Sequence, residues 1–243
     1  MNISNNVPLS FDALEDGLSI SFSNEILYRI NGGDWKTLLA GENTEEVNKG
    51  SVVSFRHAKS IFVSGVGRFS INKKCNVYGT CSSIIPKILG EKYMAYRLFS
   101  ELFYNCDAIV DASKLELPAT TLAYSCYESM FSNCTSLVNA PELPATTLAD
   151  SCYEYMFSEC TSLVNAPELP ATTLADRCYE SMFYGCTKLN YIKAMFMTTP
   201  STDYTNFWVY GVSSTGTFVK NKDATWNVVG EDGIPNGWTV ETE

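Results

Sequence analysis

The sequence predicts an α+β repeat protein: a short solenoid of about four coils with period 26, set between an N-terminal β-sandwich and a β-rich C-terminal cap. Three observations predict it. Leu117-Pro118-Ala119-Thr120-Thr121-Leu122-Ala123 returns at Leu143 to Ala149 and again at Leu169 to Ala175, offset by 26 residues each time. Between the copies, Cys126, Tyr127, Met130, Phe131, Cys134 and Leu137 recur as Cys152, Tyr153, Met156, Phe157, Cys160 and Leu163, and as Cys178, Tyr179, Met182, Phe183, Cys186 and Leu189. On both sides of the repeats, short runs alternate apolar and polar residues between turn residues, as strands do.

The chain has 243 residues, 45% hydrophobic and 18% charged, which excludes a disordered tail and allows a sizeable core. Residues 1–85 read as an all-β, sandwich-like domain. Leu18-Ser19-Ile20-Ser21-Phe22 and Leu27-Tyr28-Arg29-Ile30 alternate, and Asn31-Gly32-Gly33-Asp34 turns the chain into Trp35–Leu39. Ser51–Arg56 and Ser60–Val63 follow as strands. Residues 86–192 are the solenoid with a leading cap, in which Lys92–Leu98 is expected to form a helix. Leu102-Phe103-Tyr104-Asn105-Cys106 is a degenerate first copy, with two extra residues before Leu117.

Within each repeat, Leu148, Cys152, Met156 and Cys160 fall four apart with Tyr153 and Phe157 beside them, which predicts one face of a helix. Ser151-Cys152-Tyr153-Glu154 and Ser125-Cys126-Tyr127-Glu128 have capping-box spacing. In the third copy Arg177 stands at that position and Asp176 is the better cap. Ser162 to Pro170, marked by two prolines, reads as an extended piece and a turn. One coil cannot bury its apolar face alone, so stacking is expected to align equivalent residues in columns. Residues 193–243 form the C-terminal cap, with Phe207–Tyr210 and Gly216–Val219 as strands and Trp226 and Trp238 covering the last coil.

The pattern Leu-Pro followed by Tyr-x-x-Met-Phe-x-x-Cys-Thr-x-Leu resembles the BspA-like leucine-rich repeats of bacterial surface proteins, common in Bacteroides-type bacteria. The resemblance covers about residues 98–192 and extends more loosely to Lys74–Gly79 and to Gly216–Trp238. It implies a leucine-rich-repeat solenoid and an adhesive or binding protein at the cell surface or outside the cell. The chain departs from the family in having few repeats and no export signal at Met1–Asn6. The expectation is therefore a trimmed chain, or one of phage or cytoplasmic origin.

Net charge is −10, and residues 98–186 carry all of it, with 12 acidic against 2 basic residues. Nucleic acid and anionic membranes repel such a surface, and no apolar run reaches the ~18 residues of a membrane span. Glu116, Glu142 and Glu168 share one phase of the repeat, and Glu128, Glu154 and Glu180 another. These ladders read as a solvated acidic face that keeps the chain soluble and monomeric, or else as a site for a divalent cation or a basic ligand.

Seven of the nine cysteines recur at fixed phases and read as small buried hydrophobes. Neighbours in a column lie within disulfide reach, though three cannot all pair, and Cys75 and Cys81 are either paired across a turn or unrelated. Cys-x₇-Cys is not a zinc spacing, and His57 is the single histidine, so no metal and no cofactor is expected. A nucleophilic site would have to use His57, which reads as an edge-strand residue without a role. The better lead is aromatic. Tyr127, Tyr153 and Tyr179, flanked by Tyr155 and Tyr184, stack sugars or peptide if they reach the surface, or pack in the core with their hydroxyls at the rim.

The expected function is non-catalytic recognition of a protein or glycan, with Tyr127, Tyr153, Tyr179, Glu116, Glu142 and Glu168 as candidate binding residues. Two alternatives stand beside it: a structural subunit of a phage or appendage fibre, and a carbohydrate-active enzyme, which would need an acid pair in a cleft.

Overall fold

The computed structural model describes residues 7–58, 66–85, 95–117 and 119–243. The strand expected at Ser60–Val63 and the first three residues of the helix expected at Lys92–Leu98 lie outside the described residues; the rest of that stretch, Ala95–Leu98, is turn and not helix. Among the described residues, eleven strands follow in order: β1 (Leu9–Ala13), β2 (Ile20–Phe22), β3 (Ile26–Ile30), β4 (Lys36–Leu38), β5 (Val52–Arg56), β6 (Phe69–Ile71), β7 (Cys75–Thr80), β8 (Ile109–Glu116), β9 (Tyr191–Ala194), β10 (Thr217–Lys220) and β11 (Thr239–Thr242). Asn31 and Gly32, at φ 48° and 75°, make the turn between β3 and β4.

The first sheet has the order β4-β3-β5-β1-β7-β8. It is antiparallel except for its last pair, β7 with β8, which is parallel and carries the sheet into the repeat region. The pair β2–β6 lies over the inner face of this sheet, where Phe11, Phe55 and Phe69 meet with ring centroids 5.0–5.6 Å apart. A third, all-parallel sheet has the order β11-β10-β9. One apolar core runs from Leu9 to Trp238.

The predicted α+β leucine-rich-repeat solenoid, with one helix per coil, is overturned. The chain is mostly strand and turn, in mixed and parallel sheets. Among the described residues the helical elements are the four-residue α1 (Thr202–Thr205) and the four-residue 3₁₀ turn Cys81–Ile84. The stretches expected to be helices are runs of turns. Every fourth residue is left-handed: Ser125, Ser129 and Asn133; Ser151, Tyr155 and Glu159; Arg177, Ser181 and Gly185. A left-handed residue at that interval is incompatible with an α-helix.

The backbone hydrogen bonds show what replaces it. Even-numbered residues close local turns, as in Glu154 N–H to Ser151 O at 3.2 Å and Met156 N–H to Tyr153 O at 3.1 Å. Residues between them donate sideways to the next unit, as in Tyr153 N–H to Cys178 O at 3.1 Å and Phe157 N–H to Met182 O at 3.0 Å. The sideways bonds link five rungs, around residues 97–105, 125–133, 151–159, 177–185 and 203–210, at 2.6–3.1 Å throughout. They satisfy the donors that an α-helix would satisfy internally. The fifth rung takes in Phe207–Tyr210, expected as a strand. Its signal was present in the sequence, because Trp208-Val209-Tyr210-Gly211 mirrors Met182-Phe183-Tyr184-Gly185.

The ladder is met at both ends. On the first rung, the Leu98 and Leu102 carbonyls accept from Val66 N–H and Phe69 N–H, both at 2.9 Å. On the fifth, Phe207 N–H donates to Asp232 Oδ1 at 2.8 Å and Val209 N–H to Glu231 O at 3.2 Å.

Equivalent side chains stack inside. Phe103, Phe131, Phe157 and Phe183 form one column, with successive centroids 5.1, 5.7 and 5.9 Å apart, closed by Trp208. Phe99, Tyr127, Tyr153 and Tyr179 form a second at 5.9, 5.7 and 6.0 Å. The cysteines make a third. Cys134, Cys160 and Cys186 each donate Sγ–H to the carbonyl of the phenylalanine one rung back, at 3.2, 3.1 and 3.0 Å. Cysteine suits this column because it is small and carries a weak donor. All nine cysteines are free thiols and buried, so no disulfide joins Cys75 to Cys81.

Candidate functional site

The turn ladder turns one edge inward and the other to solvent. The inward edge takes Tyr127, Tyr153 and Tyr179, which are 1%, 2% and 1% exposed. A ligand at the surface therefore does not reach these three rings. Burial raises their hydroxyls well above the ordinary tyrosine range, with neighbouring tyrosines and cysteines adding to the rise. Glu116, Glu142 and Glu168 are exposed but sit on the other, extended leg of each unit. Glu168 pairs with Lys193 at 3.3 Å, and Lys193 also reaches Glu243 at 2.9 Å. The structure does not bring these six residues together.

It assembles a different set on the outer edge. Tyr96 and Tyr124, in the same phase of the first two rungs, stack with centroids 5.3 Å apart and rings 6° from parallel. Both are exposed, Tyr96 by 61%. At the far end, Tyr184 and Tyr210 stack at 5.0 Å, and Phe207 meets Tyr210 edge-on at 6.1 Å. Tyr155 is exposed between the two groups. The phase was the missed signal: Tyr124 lines up with Tyr96 once the two extra residues of the degenerate copy are allowed for.

The acidic column Glu128, Glu154 and Glu180 runs beneath this edge, with Glu154 and Glu180 buried and Glu128 half-buried. It is not a bare ladder of like charge. Arg97 meets Glu128 at 2.7 Å, and Arg177 meets Glu154 at 2.8 Å and Glu180 at 2.7 Å. Arg97 and Arg177 occupy one phase, where the two rungs between them carry Ser125 and Ser151. The column is thus clamped at both ends. Burial raises the carboxyl of Glu154; Ser151 and Arg177 pull the other way, and Glu128 and Glu180 add to the rise. Among the described residues, no group of three or more His, Cys, Asp or Glu side chains is placed to hold a metal ion.

Where the first rung meets the sheet layer, a cleft of ≈ 590 Å³ opens between Ser23, Gly67 and Arg68 on one wall and Tyr96, Arg97, Ser100 and Glu101 on the other. Arg68 pairs with Glu101 and lies over the Tyr104 ring at 4.6 Å. Arg97 reaches Ser100 Oγ at 3.1 Å and Glu101 at 4.0 Å. His57 sits apart from this edge; its backbone N–H donates to Ser83 O at 2.8 Å.

No protein-family model matches the chain, and no curated protein or solved structure matches it significantly. Among the described residues, no helix is long and apolar enough to cross a membrane.

Proposed function

We propose that the protein is a non-catalytic binding protein that recognises a protein or glycan through the solvent edge of its turn ladder. One observation carries this reading. Among the described residues, the five most exposed aromatic side chains, Tyr96, Tyr124, Tyr155, Phe207 and Tyr210, all lie on that edge. Exposed aromatics bring large rigid contact area at little entropic cost, and their grouping on one surface is what a recognition face needs. The partly exposed Arg97 and Arg177 side chains, held by the carboxylates beneath them, supply polar partners that fix orientation. A bacterial surface as the place of action belongs to the same proposal and rests on the resemblance of the repeats to BspA-like proteins.

The test is a binding array of glycans and host proteins, probed with the intact chain and with a Tyr124→Ser, Phe207→Ser, Tyr210→Ser triple variant whose folding is checked by circular dichroism. Capture of at least one ligand class, weakened tenfold or more in the variant, supports the reading. Silence across the array, or equal capture by both proteins, overturns it.

A further inference from the structure

We propose that the cleft between the sheet layer and the first rung is a subsite for a neutral hexose of a glycan; this rests on the binding role proposed above and gives it a ligand class. The volume of ≈ 590 Å³ falls within the range of small-ligand pockets. Its walls come from two separate parts of the chain, both held by hydrogen bonds across the junction, including Val66 N–H to Leu98 O and Phe69 N–H to Leu102 O.

The lining matches a sugar in three ways. First, Glu101 lies between two guanidinium groups, those of Arg68 and Arg97. A carboxylate that only accepts, next to guanidinium groups that only donate, complements vicinal hydroxyls, each of which does both. The Ser100 hydroxyl adds a further partner on the same wall. Second, Tyr96 stands at the cleft with 61% of its surface free and its other face backed by Tyr124. That leaves a fixed apolar plane for the C–H face of a pyranose ring. Third, the charges cancel. Arg68 and Arg97 are matched by Glu101 and Glu128, so no surplus charge draws an anionic ligand.

The groups are set before a ligand arrives. The Arg68 guanidinium is held over Tyr104, and the Arg68 backbone N–H donates to Ser23 Oγ at 2.8 Å. Gly67, at φ 110°, brings the wall in close: a Cβ there would stand 2.5 Å from Ser23 Oγ and 2.8 Å from Asn24 Nδ2. Only glycine accepts both that backbone conformation and that approach.

The test is isothermal titration and saturation-transfer NMR on the intact chain. The probes are neutral trisaccharides (β-1,4-glucan, α-1,4-glucan and β-1,4-galactan) and trigalacturonate. The expected result is binding of at least one neutral trisaccharide, with tenfold or greater weakening in both Tyr96→Ala and Glu101→Gln. Tyr96→Phe, which keeps the stacking face, and Leu39→Ala, an exposed residue just after β4 and outside both the cleft and the recognition edge, should change affinity less than twofold. Tighter binding of trigalacturonate than of every neutral sugar overturns the proposal. So does binding that ignores Tyr96→Ala and Glu101→Gln, or no binding of any trisaccharide. Capture on the array that depends on Tyr124, Phe207 and Tyr210 while the trisaccharides fail defeats the subsite alone; silence in both experiments defeats both readings.

Discussion

Replacing Tyr127 by phenylalanine should stabilise the protein, although the change removes a polar atom from a packed column. Tyr127 is 1% exposed, and its hydroxyl is buried with no hydrogen-bond partner among the described residues. A buried donor left unmade costs about 1–3 kcal/mol. The ring itself loses nothing in the exchange. It stays between Phe99 at 5.9 Å and Tyr153 at 5.7 Å, and Phe99 shows that the column already accepts phenylalanine one rung earlier. Tyr127→Phe should therefore gain about 1–3 kcal/mol. At this chain length each kcal/mol is worth roughly 2–4 °C in melting midpoint. Thermal and urea melts of the wild type and Tyr127→Phe measure the gain. Tyr153→Phe and Tyr179→Phe report what the same atom change does one and two rungs on. A lower midpoint for Tyr127→Phe, or an equal gain in all three variants, would refute the assignment of an orphaned hydroxyl at Tyr127.

Three further outcomes are expected. Thiol titration should count nine groups in denaturant and essentially none in the folded chain at pH 8, because burial raises every cysteine, Cys106, Cys126 and Cys178 to about 12; one fast-reacting native thiol would contradict this. Burial raises the Glu154 carboxyl above its unfolded value of about 4.3, so the folded chain binds more protons between those two values and this group costs stability as pH rises through them. Because the Arg177 side chain that pairs with Glu154 is 55% exposed and the bridge is screened, Glu154→Gln should be as stable as wild type or up to about 1 kcal/mol more stable at pH 7 in urea titrations. That advantage should vanish below about pH 4; a clear loss at pH 7 would show that the Arg177 bridge outweighs burial. Gly79→Ala should cost at least about 2 kcal/mol in a thermal melt, since Gly79 has φ 81° and a Cβ there would overlap the carbonyl oxygens of Pro8 and Val7. Gly41→Ala, at φ 77° with open space around it, should cost only about 1 kcal/mol.

The repeat and its phases were legible in the sequence, because a 26-residue register needs no structure to be seen. The columns of phenylalanine and cysteine follow directly from it. The backbone that carries them was not legible. Leu148, Cys152, Met156 and Cys160 repeat every fourth residue in a helix and also in a run of turns with a left-handed residue at every fourth place. Side-chain periodicity does not tell the two apart. What separates them is the partner of each N–H group, and for Tyr153 that partner is Cys178, in the next copy. A window on one repeat cannot contain that bond. Ser125, Ser129, Asn133 and Gly185 were the local hints, since serine, asparagine and glycine are weak helix formers. The site followed the same logic. Tyr127, Tyr153 and Tyr179 drew attention by their regularity, yet regularity in a stack marks the core. The exposed Tyr96 and Tyr124 pair breaks the pattern, for Asp150 and Asp176 take its place in the next two rungs.

The sideways hydrogen bonds all run from one rung to the next in the same sense, which gives the ladder a direction, as a filament has. One end presents bare acceptors and the other bare donors, and such surfaces are complementary to each other rather than to themselves. Left open, they are a head-to-tail joint that does not close, the geometry from which linear polymers grow. Val66 and Phe69 occupy the acceptor end, while Glu231 and Asp232 occupy the donor end. These four residues keep both halves of that joint occupied, and opening one half alone is not enough: shortening the chain before residue 231 would free the donors, but Val66 and Phe69 would still cover the acceptors of every copy.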